Sequence, residues 1–170
     1  KETKCSNLLL ESGSVFTPEF ITFTQDIKIG LNSILNLQSK DVNVKDSKIY
    51  IYYNRTQYSS KSTPISITKV LPDFSNTKIK VDTIASGAYL EDENLSIAQF
   101  SEIEGQSDED IKKACDELAK KFSDEQKRFG EAICYKNAEN NYEVSSKKNN
   151  NNNNGDDKKK LSGGAIAGIV

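Results

Sequence analysis

From residue 145 to residue 160 the chain offers nothing that can build a core. It reads Ser-Ser-Lys-Lys, six asparagines (Asn149 to Asn154), Gly-Asp-Asp and then Lys158 to Lys160. A stretch this polar cannot offset the entropy of ordering by burying apolar surface. Any fold must therefore come from the residues before it. The apolar fraction over all 170 residues is 35 %, against about 45–50 % in ordinary globular chains. The polar stretch accounts for part of that deficit, and the remainder suffices for one modest core. The expected organisation is an irregular segment over 1–13, a folded domain over 14–136 and a disordered Asn/Lys-rich spacer over 137–160.

Residues 161–170 read Leu-Ser-Gly-Gly-Ala-Ile-Ala-Gly-Ile-Val. A membrane span needs about 20 such residues, so this run reads as the truncated start of a transmembrane helix. The spacing of Gly164 and Gly168 suits helix packing in lipid. The leading expectation is a single-pass surface protein with residues 1–160 outside the cell. One rival is a glycosyl-phosphatidylinositol signal with small residues Ser162, Gly163 and Gly164, although the usual polar spacer after the site is missing. The other is a cytosolic orientation, favoured by Lys158 to Lys160 beside the apolar run and opposed by Asp156 and Asp157. No methionine is present, so the chain reads as a processed or truncated piece of a longer product.

Histidine and tryptophan are also absent. That removes the usual neutral-pH general base and the commonest metal ligand. Basic residues number 23 and acidic residues 25, and Arg55 and Arg128 are the arginines. A balanced, arginine-poor chain is a poor nucleic-acid binder. Cys5, Cys115 and Cys134 match no zinc spacing and no Cys-x-x-Cys redox pair. A Cys115–Cys134 bridge would close a loop of 19 residues and stabilise by ~3 kcal/mol. Cys5 is the alternative partner of Cys134, or a free thiol. Asn54-Arg55-Thr56 and Asn94-Leu95-Ser96 are glycosylation sequons expected in loops.

Periodicity suggests a mixture of elements. Ser14 to Thr24 reads as one or two extended pieces. Ile27, Leu31, Ile34 and Leu35 recur at helical spacing, with Thr24 as a cap, Asp26 in the first turn and Gly30 as a weak point that can mark close packing on a sheet. Asp41 to Val44 and Lys48 to Tyr53 alternate as strands, with a turn at Asp46-Ser47. Ile65 to Val70 suggests a short edge strand, Leu71 to Asn76 a turn, and Thr77 to Ala85 another strand. Residues 91–106 read as acidic loop. Ser107 caps the clearest helix, whose stripe is Ile111, Ala114, Cys115, Leu118 and Phe122. Ser123-Asp124-Glu125 suggests a restart that stops at Gly130. Glu131 to Tyr135 reads as a last strand carrying Cys134.

The order strand, helix, strand, strand, helix, strand is the split βαβ arrangement: an α+β, ferredoxin-like antiparallel sheet with two helices on one face. Phe23 to Leu35, then Asp41-Val-Asn-Val44, then the capped helix from Ser107, together resemble a SEA-like membrane-proximal ectodomain over residues 14–136. Self-cleaving members of that family carry Gly-Ser before a strand in the middle of the domain. Here Gly13-Ser14 lies near the N-terminus, so self-cleavage is not expected.

No spacing points to catalysis, to a cofactor or to a metal. Asp108, Glu109 and Asp110 are consecutive at a helix start, where the helix dipole favours acids, and not alternating as calcium ligands are. Glu91-Asp92-Glu93 reads as solvated loop. Tyr50, Tyr52, Tyr53 and Tyr58 offer a platform for a protein or glycan ligand. The plainer reading keeps Ile49 and Ile51 inward, with Tyr50 and Tyr52 on one face and Tyr53 on the other. The expected function is adhesion, recognition or stalk spacing at the cell surface, without chemistry. The alternatives are a cytosol-facing interaction domain and a non-catalytic part of a larger enzyme.

Overall fold

The computed structural model of the chain describes residues 3–53, 63–83, 94–125, 127 and 129–148. The polypeptide winds back and forth between two sheets. The elements are β1 (Thr3–Leu10), β2 (Val15–Phe16), β3 (Ile21–Ile29), β4 (Ile34–Leu37), β5 (Val42–Asn43), β6 (Lys48–Tyr53), β7 (Ile65–Lys69), β8 (Lys78–Thr83), β9 (Asn94–Ile103), α1 (Asp108–Ala119), β10 (Phe122–Ser123), β11 (Phe129–Lys136) and β12 (Tyr142–Lys148). The first sheet has the order β1-β3-β6-β8-β10, with β5 beside β3. The second has the order β2-β4-β7-β9-β12-β11. Every pairing is parallel except β9 with β12 and β12 with β11. This is a short parallel β-solenoid whose last turns are closed by a helix and an antiparallel hairpin.

Parallel stacking puts like residues above one another. Leu8, Ile27, Ile49 and Ile79 form one inward column, and Leu10, Ile29, Ile51 and Val81 form the next. On the other sheet Leu35, Ile65 and Ala98 stack, as do Leu37, Ile67 and Phe100. Ile27, Ile49, Ile65, Ile67 and Ile79 are fully buried. β-Branched side chains pack well on a pleated surface and lose little there. Burial falls off at the start of the solenoid, where Cys5, Leu8 and Phe16 are only partly covered.

Three corners are made by residues that tolerate left-handed backbone. Asn32, Asp46 and Asn76 have φ of 57°, 67° and 58°, and short polar side chains visit this region most readily. Asp46 and Asn76 sit on successive turns, where the Asn76 amide donates to the Asp46 carboxylate at 2.9 Å. The Val44 carbonyl accepts from Ser47 Oγ at 2.6 Å and from Thr77 Oγ1 at 3.0 Å. These buried hydroxyls are thereby satisfied, as buried polar groups must be.

The ferredoxin-like expectation is overturned: among the described residues the chain is mostly strand, with one helix and two six-stranded sheets. The expected helix from Gln25 to Leu35 is β3, a corner at Gly30–Ser33, and β4. Ile27 and Ile29 alternate on one strand, Leu35 and Leu37 on the next, and the corner shifts the phase so that the run mimics helical spacing. Residues 91–106, read as loop, contain β9, in which Leu95, Ile97, Ala98 and Phe100 are buried. Residues 1–13, read as irregular, contain β1. The expected edge strand β7 lies between β4 and β9. The second expected helix ends at Ala119, so Phe122 lies on β10 and the expected restart gives way to β11. The folded region extends past residue 136, because β12 runs through Tyr142–Lys148 where the spacer was expected to begin.

Candidate functional site

The end of the solenoid that follows β9 carries the most elaborate side-chain arrangement. Ser107 caps α1 by accepting from the Asp110 amide at 3.1 Å. Cys115, Leu118 and Ala119 are the buried residues of the helix, which packs on β9, β11 and β12. Cys115 is bonded to Cys134 on β11, with Cα atoms 5.7 Å apart, as one of the two pairings weighed from the sequence. Cys5 is the free cysteine, half-buried on β1. Replacing Cys115 and Cys134 by alanine is expected to cost about 3 kcal/mol of stability, the loop-entropy value for a loop of this size. Urea unfolding under non-reducing conditions measures it, and a loss below about 1 kcal/mol would mean that the rest of the cap holds the helix unaided.

The acidic helix start is tied down by residues far along the chain. Tyr142 Oη donates to Asp108 Oδ2 at 2.7 Å, and Lys136 Nζ lies 3.2 Å from Oδ1. Lys136 also sits 4.9 Å from the Tyr142 ring centroid. The phenol and then the ammonium hold the Asp108 carboxyl below the usual carboxylate range, and the same bond pushes Tyr142 up. A depressed folded pKa means the contribution is present above the ordinary carboxylate value and is lost as pH falls through the lowered one. Carboxyl NMR is expected to show Asp108 titrating below free aspartate, and Tyr142→Phe should move it back toward the ordinary value. An unmoved midpoint in that variant would remove the phenol as the cause.

Two clefts flank the β7–β8 turn, the first of them against α1. The first, about 480 Å³, is bounded by Pro72, Phe74, Phe100, Ala114, Leu118 and Lys121. The second, about 470 Å³, is bounded by Lys40, Val42, Lys45, Val70, Leu71 and Pro72. The turn between β7 and β8 forms the ridge between them, with Asp73 lining both. Asp73 accepts from the amide and hydroxyl of Ser75. Those bonds, then Lys45 and Lys121, hold its carboxyl below the usual range. The result is a mixed polar and apolar surface around a fixed carboxylate, with Lys40 and Lys45 on one side and Glu117, Lys120 and Lys121 on the other. Such a surface can hold a ligand by packing and charge.

The other sequence candidates scatter. Asn94 opens β9, paired with Lys147 on β12, instead of lying in a loop. Asn54, Tyr58 and Glu91 to Glu93 lie outside the described residues, as does the apolar run 161–170. Tyr50 and Tyr52 are half-buried on the outer face of β6. Tyr53 is buried with Ile49 and Ile51 and meets Phe129 edge-on, ring centroids 5.2 Å apart. The aromatic cluster is therefore divided between the surface and the core. Among the described residues no group of His, Cys, Asp and Glu is placed to hold a metal ion, and no helix is long and apolar enough to cross a membrane.

The paired clefts and the Asp108–Lys136–Tyr142 cluster went unread in the sequence. The one local signal was Pro72-Asp73-Phe74-Ser75, a turn whose aspartate meets the serine two residues on. No family model matches the chain, and neither a curated protein nor a solved structure matches it.

Proposed function

We propose that this domain is a non-catalytic recognition module of a cell-surface protein. In this reading the solenoid faces outward and is held off the bilayer by the polar run 149–160, with residues 161–170 entering the membrane. The observation that carries the reading is the Cys115–Cys134 bridge between α1 and β11. Structural disulfides persist in oxidising compartments and are rare in reducing ones. The two lysine-flanked clefts on either side of the β7–β8 turn supply a surface for a protein or glycan ligand. Their lining, lysines and apolar side chains around Asp73 with Glu117 on the helix side, suits binding more than bond-making.

A cytosolic orientation has one observation in its favour, the three lysines beside the apolar run. One experiment separates the two. Peptide mass spectrometry of the protein from its native cells reads Asn54, Asn94 and the three cysteines together. The outward reading expects the bridge between Cys115 and Cys134, with glycan on Asn54. Three free thiols and bare asparagines would overturn it and leave a cytosolic partner surface.

A further inference from the structure

The outer faces of the two sheets differ in charge. On the second sheet Asn36, Ser66 and Gln99 lie level across β4, β7 and β9, and Thr68 lies beside Ser101. All five are uncharged. On the first sheet β6 turns Lys48, Tyr50 and Tyr52 outward, and β8 turns Lys78, Lys80 and Asp82 outward. The strands are parallel and in register, so Lys48 lies level with Lys78, and Tyr50 with Lys80. On β3, Lys28 lies level with Tyr50, its Nζ 6.0 Å from the ring centroid. Four lysines thus gather round one half-buried tyrosine.

Neighbouring strands lie about 4.8 Å apart, and like charges facing each other at that spacing repel. The nearby acids answer only part of this charge. Glu125 is paired with Lys80 at 2.5 Å. Asp26 lies level with Lys48, and Asp82 with Tyr52. Yet among the described residues neither Lys48 nor Lys78 meets a carboxylate within ion-pair distance, and both are exposed. A chain with 23 basic and 25 acidic residues has acids enough to separate them, and instead stacks the two ammonium groups side by side.

We propose that this face binds a linear anionic polysaccharide, with Lys48 and Lys78 meeting its sulfate or carboxylate groups and Tyr50 packing against a sugar ring. Lysine is a compact point charge that meets such groups without a fixed geometry. A tyrosine ring offers an apolar body with a polar tip. Outward residues recur about every 6.7 Å along a strand and about every 4.8 Å across strands, a spacing that suits a ligand with charge repeated along its length. A membrane is a poorer occupant, because the large apolar residues exposed among the described ones, Leu9, Val15, Phe20 and Ile133, lie off β6 and β8. Nucleic acid is poorer too, because these lysines lack the bidentate fork of arginine. The face is separate from the clefts, and the inference stands whatever they hold.

The test titrates the full chain by calorimetry with dextran sulfate, carboxymethyl dextran and plain dextran of equal length. At least one anionic form should bind and plain dextran should not, and the tighter of the two identifies the anion. Affinity should fall at least ~10-fold between about 50 and 200 mM salt. Lys48→Gln with Lys78→Gln should weaken binding at least ~10-fold, while the urea midpoint holds or rises as the repulsion is relieved. Lys48→Arg with Lys78→Arg keeps the charge and should keep the binding. Lys112→Gln with Lys113→Gln makes the same change of net charge on α1 and should leave binding in place. Equal losses in the two glutamine pairs would reduce the effect to net charge and overturn the site. A midpoint that falls in the Lys48 and Lys78 glutamine pair, or binding lost in the arginine pair, would overturn the role given to the two ammonium groups. Equal affinity for plain dextran would overturn the anion chemistry. Failure to bind any dextran, or tighter binding to anionic phospholipid vesicles or single-stranded DNA, would overturn the polysaccharide as occupant.

Discussion

Replacing Gly30 by alanine is expected to cost about 3 kcal/mol of stability, a large loss for one added methyl group. An alanine Cβ at this position would sit 2.3 Å from the Leu10 carbonyl oxygen and 3.2 Å from both Glu11 C and Ser12 N. All three are backbone atoms, so no side chain can rotate out of the way. The Gly30 amide also donates to that same Leu10 oxygen at 2.8 Å. Relieving the clash means separating the first turn of the solenoid from the second and losing the bond that joins them. Close approach of another backbone is the situation that calls for glycine inside an extended chain. Urea unfolding gives the magnitude, and hydrogen exchange gives the place. The β1 amides bonded to β3 should lose protection before those of β6 and β8. A loss below about 1 kcal/mol with β1 still protected would mean that the turns are not in contact at this point.

The second large effect is expected at Ile49. Ile49→Ala should lower stability by about 4 kcal/mol, the upper part of the range for a buried isoleucine. Ile49 has no exposed surface and sits between Ile27 below and Ile79 above. Strand backbones on both sides limit how far the cavity can collapse, and the cost rises with the volume left empty. Leu8→Ala removes a similar side chain from the same column, yet Leu8 is half-covered at the start of the solenoid. It should cost about 1–2 kcal/mol, because less transfer energy is lost and no closed cavity remains. Paired denaturation curves decide the matter. Equal losses at the two positions would contradict the burial gradient along the column. A loss of two-state behaviour at Ile49 alone would show the solenoid dividing at its middle turn, as stacked repeats can.

Some of the fold was legible in the residues. Lys48 to Tyr53 alternates and is β6. Thr77 to Ala85 was read as a strand and contains β8. Ser107 caps the helix it was expected to cap, through the Asp110 amide. These are local features, decided by side-chain period, capping chemistry and turn residues within a few positions. Gly30 was read as a mark of close packing against a sheet, although its neighbours were assigned to a helix. What misled the reading around it was the corner at Gly30–Ser33. Two strands with period 2, joined by a tight corner, leave apolar residues at Ile27, Leu31, Ile34 and Leu35, and that spacing mimics one helical face. The strand β9 was missed because residues 91–106 carry acidic residues at both ends and its inward set, Leu95, Ile97, Ala98 and Phe100, alternates irregularly. The strand has neighbours on both sides, β7 and β12, and its burial comes from them.

The candidate surface was less legible than the fold. The clefts join side chains from the β4–β5 connection, the β7–β8 turn, β9 and α1, which no local pattern links. The Asp108 cluster joins a helix start to β11 and β12, with Lys136 and Tyr142 arriving from 28 and 34 residues away. From the residues alone came the helix and its cap, three of the alternating strands and a candidate partner for Cys115, whereas Ser145 and Ser146, read as part of a polar spacer, are buried on β12. Only the tertiary structure decided that most of the strands run parallel and stack like on like, that among the described residues two expected helices reduce to one, and that a helix and a hairpin follow the last parallel strands at one end. The reason is physical. Side-chain period records which face of a segment is buried, whereas the partner that buries it, and whether it runs parallel or antiparallel, depends on residues up to 53 positions away, as Asn94 and Lys147 are, that the period does not encode.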